Sequence, residues 1–237
     1  VQTCALPIWR PMESGTRLNI VTIDGPAGAG KSTIARLTAN RLGYAFLDTG
    51  AMYRAVALGL FSSGIDLNDQ TAVTLFLSSL KLEVGISGAV MRVSLDSRDV
   101  TEEIRRPEMG AMASAASKNP DVRRFCSGLQ RRIGECGRIV AEGRDMGTVV
   151  FPDAKWKFFL TASDEARAKR RYLEEKTRHG DVDYEQIFEG IRQRDQQDMS
   201  RAIAPLVQAD DAIVVDSSEM TILEVVDLVV GHVRKNR

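Results

Sequence analysis

The order of apolar and polar positions divides the chain into short strands alternating with longer helices. Residues 18–24 (LNIVTID) form a compact, β-branched apolar run ending at glycine, the pattern of a strand buried on both faces. An Ala- and Leu-rich stretch over 31–42 predicts a helix, 44–47 a second strand, and 52–61 a second helix. Strand and helix in alternation predict a parallel sheet.

The pattern changes in the middle of the chain. Residues 81–84 and 90–95 alternate polar and apolar side chains around Gly85-Ile86-Ser87-Gly88, which predicts a hairpin, and 108–136 reads as helical. This region, about 62–136, is expected to be an inserted subdomain. The core pattern resumes with strands expected at 138–141, 156–160 and 212–215, each followed by a helix. There is no internal repeat or low-complexity segment. Residues 1–16 show neither period and carry two prolines, so they are expected to be a tail preceding one catalytic domain over 17–237. Met12 is the first methionine and is the expected start of translation, with 1–11 extraneous.

At 237 residues, the chain is long enough for one sizeable α/β domain. Lys plus Arg and Asp plus Glu both total 32, so no global basic field draws it to nucleic acid or anionic membrane, and any anion site must be local. Cys4, Cys126 and Cys136 lack C-x-x-C spacing, and His179 and His232 are too isolated to complete a zinc set. Reduced thiols and a cytoplasmic location are expected. No run reaches the roughly 18 apolar residues of a membrane helix, and the first residues lack the regions of a secretory signal.

The strongest chemical signal is Gly25-Pro26-Ala27-Gly28-Ala29-Gly30-Lys31-Ser32, followed by Thr33, which fits G-x-x-x-x-G-K-[ST] between an expected strand and an expected helix. Glycines let backbone N–H groups curl around phosphate oxygens, and the helix N-terminus adds positive dipole. Lys31 is placed to reach the outer phosphates of a nucleotide, and the Ser32 hydroxyl to ligand Mg2+. GTPases, ATPases and small-molecule kinases share this loop, so the acceptor must be read elsewhere.

Four clusters mix arginine with short polar residues: Asp48 to Arg54, Ser114 with Arg123, Glu142 to Thr148, and Arg194 to Arg201 with Asp198 between. Arginine suits bidentate phosphate contact, and several beside a phosphate loop suggest a second anionic substrate. Arg54, Arg194 and Arg201 lie in expected helices, where simple solvation is the plainer reading of each alone. Glu142 to Asp145 follows an expected strand and so falls at a carboxyl edge, where ligands bind in open α/β sheets.

GPAGAGKST, DTGAMYR, EGRDMGTVVFPDA and RDQQDMSRAIAPL, in this order and spacing, closely resemble the bacterial-type cytidylate kinases. The resemblance runs from about residue 18 to the C-terminus, and the hairpin region resembles that family's enlarged monophosphate-binding insert. It implies a three-layer P-loop NTPase fold with a parallel sheet core, the inserted subdomain and a short lid over 163–180. It implies ATP and Mg2+ as co-substrate and cofactor, CMP or dCMP as acceptor, and a monomer. Thr49, Arg54, Arg144 and Arg201 would surround the CMP phosphate, Ser114, Arg123 and Asp145 would read cytosine, and Arg194 and Asp198 would hold the ribose. Within the basic run Arg167, Lys169, Arg170, Arg171, Lys176 and Arg178, which balances Glu165, Glu174 and Glu175 as a solvated helix face would, Arg170 and Arg171 are the expected lid arginines. The expected catalytic set is Lys31, Arg144, Arg170 and Arg171.

The base chemistry agrees with the resemblance. Cytosine presents an amino donor beside two acceptors, which Ser114 and Asp145 as acceptors and Arg123 as donor complement; uracil reverses that polarity in part. A phosphate acceptor is already anionic, so no general base is needed. Rival readings are a kinase for UMP or shikimate, a GTP-dependent switch, and an RNA-binding module. The base-reading trio disfavours the first, the absence of an N-K-x-D motif the second, and neutral net charge the third.

Overall fold

The computed structural model describes residues 18–180 and 182–236, together with the side chains of all of these but Leu18, Arg178 and His179. The expectations for the tail, for Met12 and for the Arg178 side chain lie outside the described residues.

The chain opens with β1 (Leu18–Asp24), α1 (Lys31–Leu42), β2 (Ala45–Asp48) and α2 (Thr49–Ser62). The middle region comprises α3 (Gln70–Ser79), the strands β3 (Leu82–Ser87), β4 (Val90–Leu95) and β5 (Arg98–Asp99), then α4 (Glu108–Ala116) and α5 (Pro120–Gly134). The core returns with β6 (Ile139–Gly143), β7 (Ala154–Thr161), α6 (Asp164–His179), α7 (Tyr184–Met199), β8 (Ile213–Asp216) and α8 (Ile222–Lys235).

Five strands form a parallel sheet in the order β2-β6-β1-β7-β8. Ile20, Val21 and Ile23 of β1, Ile139 to Ala141 of β6, and Phe158 and Leu160 of β7 are almost wholly buried, because helices cover both faces. The connection from β1 to β2 steps over the position β6 fills, while β7 lies on the other flank of β1. A sheet that reverses direction in this way opens a crevice at its strand ends. Register brings Asp24 beside Gly143 and Asp48 beside Glu142, so the carboxyl ends of β1, β2 and β6 share one edge.

The strands of the middle region form a separate antiparallel sheet, β3-β4-β5. Met91, Val93 and Leu95 alternate inward, as a strand covered on one face requires. The hairpin turn is tighter than its sequence suggests. Ser87 pairs with Val90, leaving Gly88 and Ala89 as the two-residue turn, with Gly88 at φ +57°. Gly85 lies within β3, where nothing crowds it and pairing with Arg92 holds it extended. Gly88 also accepts from the N–H of Phe46 at 3.0 Å, docking the hairpin onto β2.

Other boundaries move by a few residues. The expected strand over 138–141 runs two residues further, so Glu142 and Gly143 belong to β6 itself. Beyond β6 the backbone makes a wide turn over Met146–Val150 and not a helix of ordinary pitch. Arg201 lies just beyond α7, which ends at Met199.

Candidate active site

The phosphate loop joins β1 to α1, and Gly25 is required there by space as well as by backbone angle. Gly25 has φ +147°, and a Cβ there would sit 1.9 Å from the Leu160 carbonyl oxygen. Gly30 caps α1 at φ +86° without a side-chain bond, so the first N–H groups of the helix face the cleft uncapped. Lys31 is buried and donates to Pro26 O at 2.6 Å. Burial, with Arg144 nearby, brings its pKa down to about 7, although Glu142 opposes this. Ser32 Oγ donates to Glu142 Oε1 at 2.7 Å, and burial pushes the Glu142 carboxyl above its usual range.

Across the cleft, the residues at the ends of β2 and β6 hold a set of guanidinium groups. Asp48 caps α2 by accepting from Ala51 N and pairs with Arg54 at 3.1 Å. Thr49 Oγ1 donates to Glu142 O at 2.6 Å, tying the start of α2 to β6. Asp198 accepts from Arg144 Nε at 2.8 Å through one oxygen and from Arg201 Nη2 at 2.7 Å through the other. Burial alone would raise the Asp198 carboxyl, but Arg144 and Arg201 hold it below its ordinary value. Burial likewise opposes the charge on Arg144, yet Asp198 keeps its pKa raised. Arg194 is different: its Nε is buried without a hydrogen-bond partner, and desolvation beside Arg144 brings its pKa down to about 10.

Deeper in the insert, Arg123 Nη2 donates to Asp145 Oδ2 at 2.5 Å, with only 6% and 4% of the two side chains exposed. The Tyr53 ring lies 5.6 Å beneath the Arg123 guanidinium. Burial raises the Asp145 carboxyl, while Arg123, Arg201 and Arg144 act against the rise. Ser114 Oγ donates to Gln197 Oε1 at 3.3 Å, linking α4 to α7.

These groups open onto one cleft of about 2040 Å³. Every acceptor residue expected from sequence lines it, as do Ala27 to Thr33, whereas Gly25 and Pro26 do not. Arg170 and Arg171 line it from α6, but each is engaged locally: Arg170 with Ser217 Oγ at 3.0 Å and its carbonyl, Arg171 with Glu174 at 3.3 Å and Glu175 at 2.5 Å.

Four groups escape the sequence reading. Glu142 stands within a recognised cluster but has no role there, and Asp24, Arg167 and Asp195 carry no signal as acceptor residues. Asp24, at the end of β1, accepts from Met146 N at 2.9 Å and Gly147 N at 2.8 Å, fixing the turn that bears Asp145. Burial pushes its pKa up to about 7 despite those two bonds. Arg167 is buried and bonded to the phosphate loop, which corrects its reading as part of a solvated basic face.

Residues 21–235 match the family described as Cytidylate kinase. A cytidylate kinase of Caldicellulosiruptor bescii is 46% identical over 209 residues, covering 88% of this chain and 92% of that relative. A cytidylate kinase of Pseudomonas aeruginosa PAO1 is 46% identical over 215 residues, covering 90% and 94%. In structure, an uncharacterised protein from Eubacterium ventriosum superposes with a TM-score of 0.50 at 12% identity, covering 93% of this chain and 99% of that one, a likeness of fold alone.

Proposed function

The chain belongs to the cytidylate kinase family, and from that premise we propose that it transfers the γ-phosphoryl of ATP to CMP or dCMP, giving ADP and CDP or dCDP. The observation that carries this reading is that the phosphate loop and the buried Arg123–Asp145 pair line the same cleft, with a belt of arginines between them. The loop suits a polyphosphate donor, and the belt suits a phosphate acceptor.

Gly28 to Ser32 cradle the outer phosphates of ATP through backbone N–H groups. Lys31 gains its full charge as anionic phosphates approach, since an opposite charge favours the protonated form. Thr49, Arg54, Arg144 and Arg201 grip the acceptor phosphate, and the doubly bonded Asp198 holds two of these arginines in place before substrate arrives. Arg194 and Asp198 position the sugar, and Ser114, Arg123 and Asp145 read the base. An acceptor phosphate oxygen attacks as an anion, so catalysis rests on in-line positioning and charge neutralisation, and no proton need be removed. Arg170 and Arg171 would leave their local partners to meet the transferring group as α6 closes over the cleft, excluding water.

Ser32 Oγ and the Glu142 carboxylate form an all-oxygen donor pair beside the loop, which fits a hard cation such as Mg2+. Among the described residues no group of three His, Cys, Asp or Glu could hold a metal ion, so phosphate oxygens and water would complete its coordination. When bound, Mg2+ supplies positive charge to the phosphate oxygens. A cytoplasmic monomer acting on free nucleotides completes the proposal, with residues about 62–136 as the acceptor-binding insert and 163–180 as the lid.

An ADP-release assay with ATP and Mg2+ tests it, comparing CMP, dCMP, UMP, AMP, GMP and shikimate at equal concentration. Activity confined to CMP and dCMP supports the reading. Strong activity with another acceptor would discard the roles given to Ser114, Arg123 and Asp145.

A further inference from the structure

Ala27 in the phosphate loop has both of its backbone polar groups taken by one buried ion pair from the neighbouring helices. Asp195 Oδ1 accepts from Ala27 N at 2.8 Å, and Arg167 Nη1 donates to Ala27 O at 2.6 Å. Arg167 and Asp195 also pair with each other, and only 4% and 5% of their surfaces are exposed. Two of the three remaining Arg167 donors go to Ala162 O at 3.1 Å and Asp164 Oδ1 at 2.5 Å, so the guanidinium has little freedom to turn. The next residue is in direct contact as well: a Cβ on Gly28 would come within 3.2 Å of Arg167 Cβ and 3.5 Å of Ile191 Cδ1.

The buried residues of α7 are Ile191, Asp195 and Asp198, spaced to share one helix face. That face therefore holds the phosphate loop at Ile191 and Asp195 and, about one turn on, clasps Arg144 and Arg201 at Asp198. Three residues of α-helix advance only about 4.5 Å, so donor loop and acceptor arginines hang on one rigid element. A buried ion pair is a poor source of net stability, because desolvation offsets its attraction. The contribution of this pair is directional: the Ala27 peptide groups must follow α6 and α7.

We propose that Arg167 of α6 and Asp195 of α7 are positioning residues that set the phosphate loop, so that filling the acceptor site at α7 tightens the loop that holds ATP. The proposal rests on reading Arg194 and Asp198 as acceptor contacts. By linkage, ATP must tighten acceptor binding by the same factor.

The test is calorimetric titration of a non-hydrolysable ATP analogue, with and without saturating CMP, combined with hydrogen exchange at the Ala27 amide. In the wild-type protein CMP should tighten the analogue by about fivefold or more and slow exchange at Ala27. Arg167→Met should weaken the analogue on the order of tenfold and remove the effect of CMP. The affinity of that variant for CMP alone should stay within about twofold of wild type. Arg167→Lys, which can still pair with Asp195, should recover part of the loss. CMP that binds the wild-type protein yet changes neither analogue affinity nor Ala27 exchange overturns the proposal, whether or not the variants fold. A folded Arg167→Met with wild-type analogue affinity overturns it too. Failure of CMP to bind at all would overturn the acceptor reading beneath it.

Discussion

Asp145→Asn isolates the base-reading site with a change of one atom. The Asp145 carboxylate is buried against Arg123 at 2.5 Å, and its shape is kept by asparagine, so the turn fixed by Asp24 is left in place. The variant loses the negative charge and one acceptor, and so loses a charge-assisted bond to the cytosine amino group. Such a bond is worth about 1.5–3 kcal/mol. At about 1.4 kcal/mol per tenfold, kcat/KM for CMP should fall roughly 10- to 150-fold. The new amide N–H can meet the O4 acceptor of uracil, so the ratio of UMP to CMP activity should rise. ATP-analogue affinity should stay within about twofold, because the Asp145 side chain bonds to Arg123 and not to the phosphate loop. Steady-state kinetics with each acceptor, calorimetry for the analogue and a thermal melt together separate these effects. Equal losses for CMP and for the analogue, or an unchanged UMP to CMP ratio, would refute the reasoning.

The same geometry leads to three further outcomes. Lys31→Ala should lower kcat by about 100-fold or more, as loss of one preorganised charge contact does, while the melting temperature and CMP affinity stay near wild type; near-normal turnover would remove Lys31 from the mechanism. Gly25→Ala drives a Cβ into the Leu160 carbonyl oxygen at 1.9 Å and should markedly lower the melting temperature and the soluble yield, whereas an unchanged melt would contradict the packing at the end of β1. The Asp24 carboxyl, at about 7 when folded against 3.8 ordinarily, holds more protons in the native state between those values, so its contribution to stability should fall as pH rises from about 4 to about 7. Denaturant unfolding across that range should show a negative slope from this group of up to about 1.4 kcal/mol per pH unit, absent in Asp24→Asn; parallel curves for the two proteins would contradict it.

The parts of the site legible in the sequence are those encoded locally. The phosphate loop is a contiguous string in a strand-to-helix context, and Gly25 and Gly30 are needed there for the positive backbone angles that a glycine-rich turn advertises. Glu142 to Asp145 could be placed at a sheet edge because the preceding apolar run ends there, although β6 extends through Glu142 itself. Arg167 was hidden because burial of one cation in a basic helix depends on which face packs, and six basic residues in one segment obscure that face. Asp195 sat beside Arg194 in a cluster already read for its arginines, and only the distance of 2.8 Å to Ala27 N shows that it faces the donor loop. Asp24 could have been found from its place at the carboxyl end of the first strand, but its partners, Met146 and Gly147, are more than a hundred residues away and meet it only through sheet register.

The central claim is that one cleft carries a γ-phosphoryl group from ATP to the phosphate of a cytosine nucleotide. Its most direct measurement supplies γ-labelled ATP and Mg2+ to the protein with CMP and UMP together in one tube, and separates the products. The label should accumulate in CDP at least about tenfold faster than in UDP, with little in inorganic phosphate. Label appearing chiefly in UDP, or in inorganic phosphate at a rate that CMP does not change, would contradict the account.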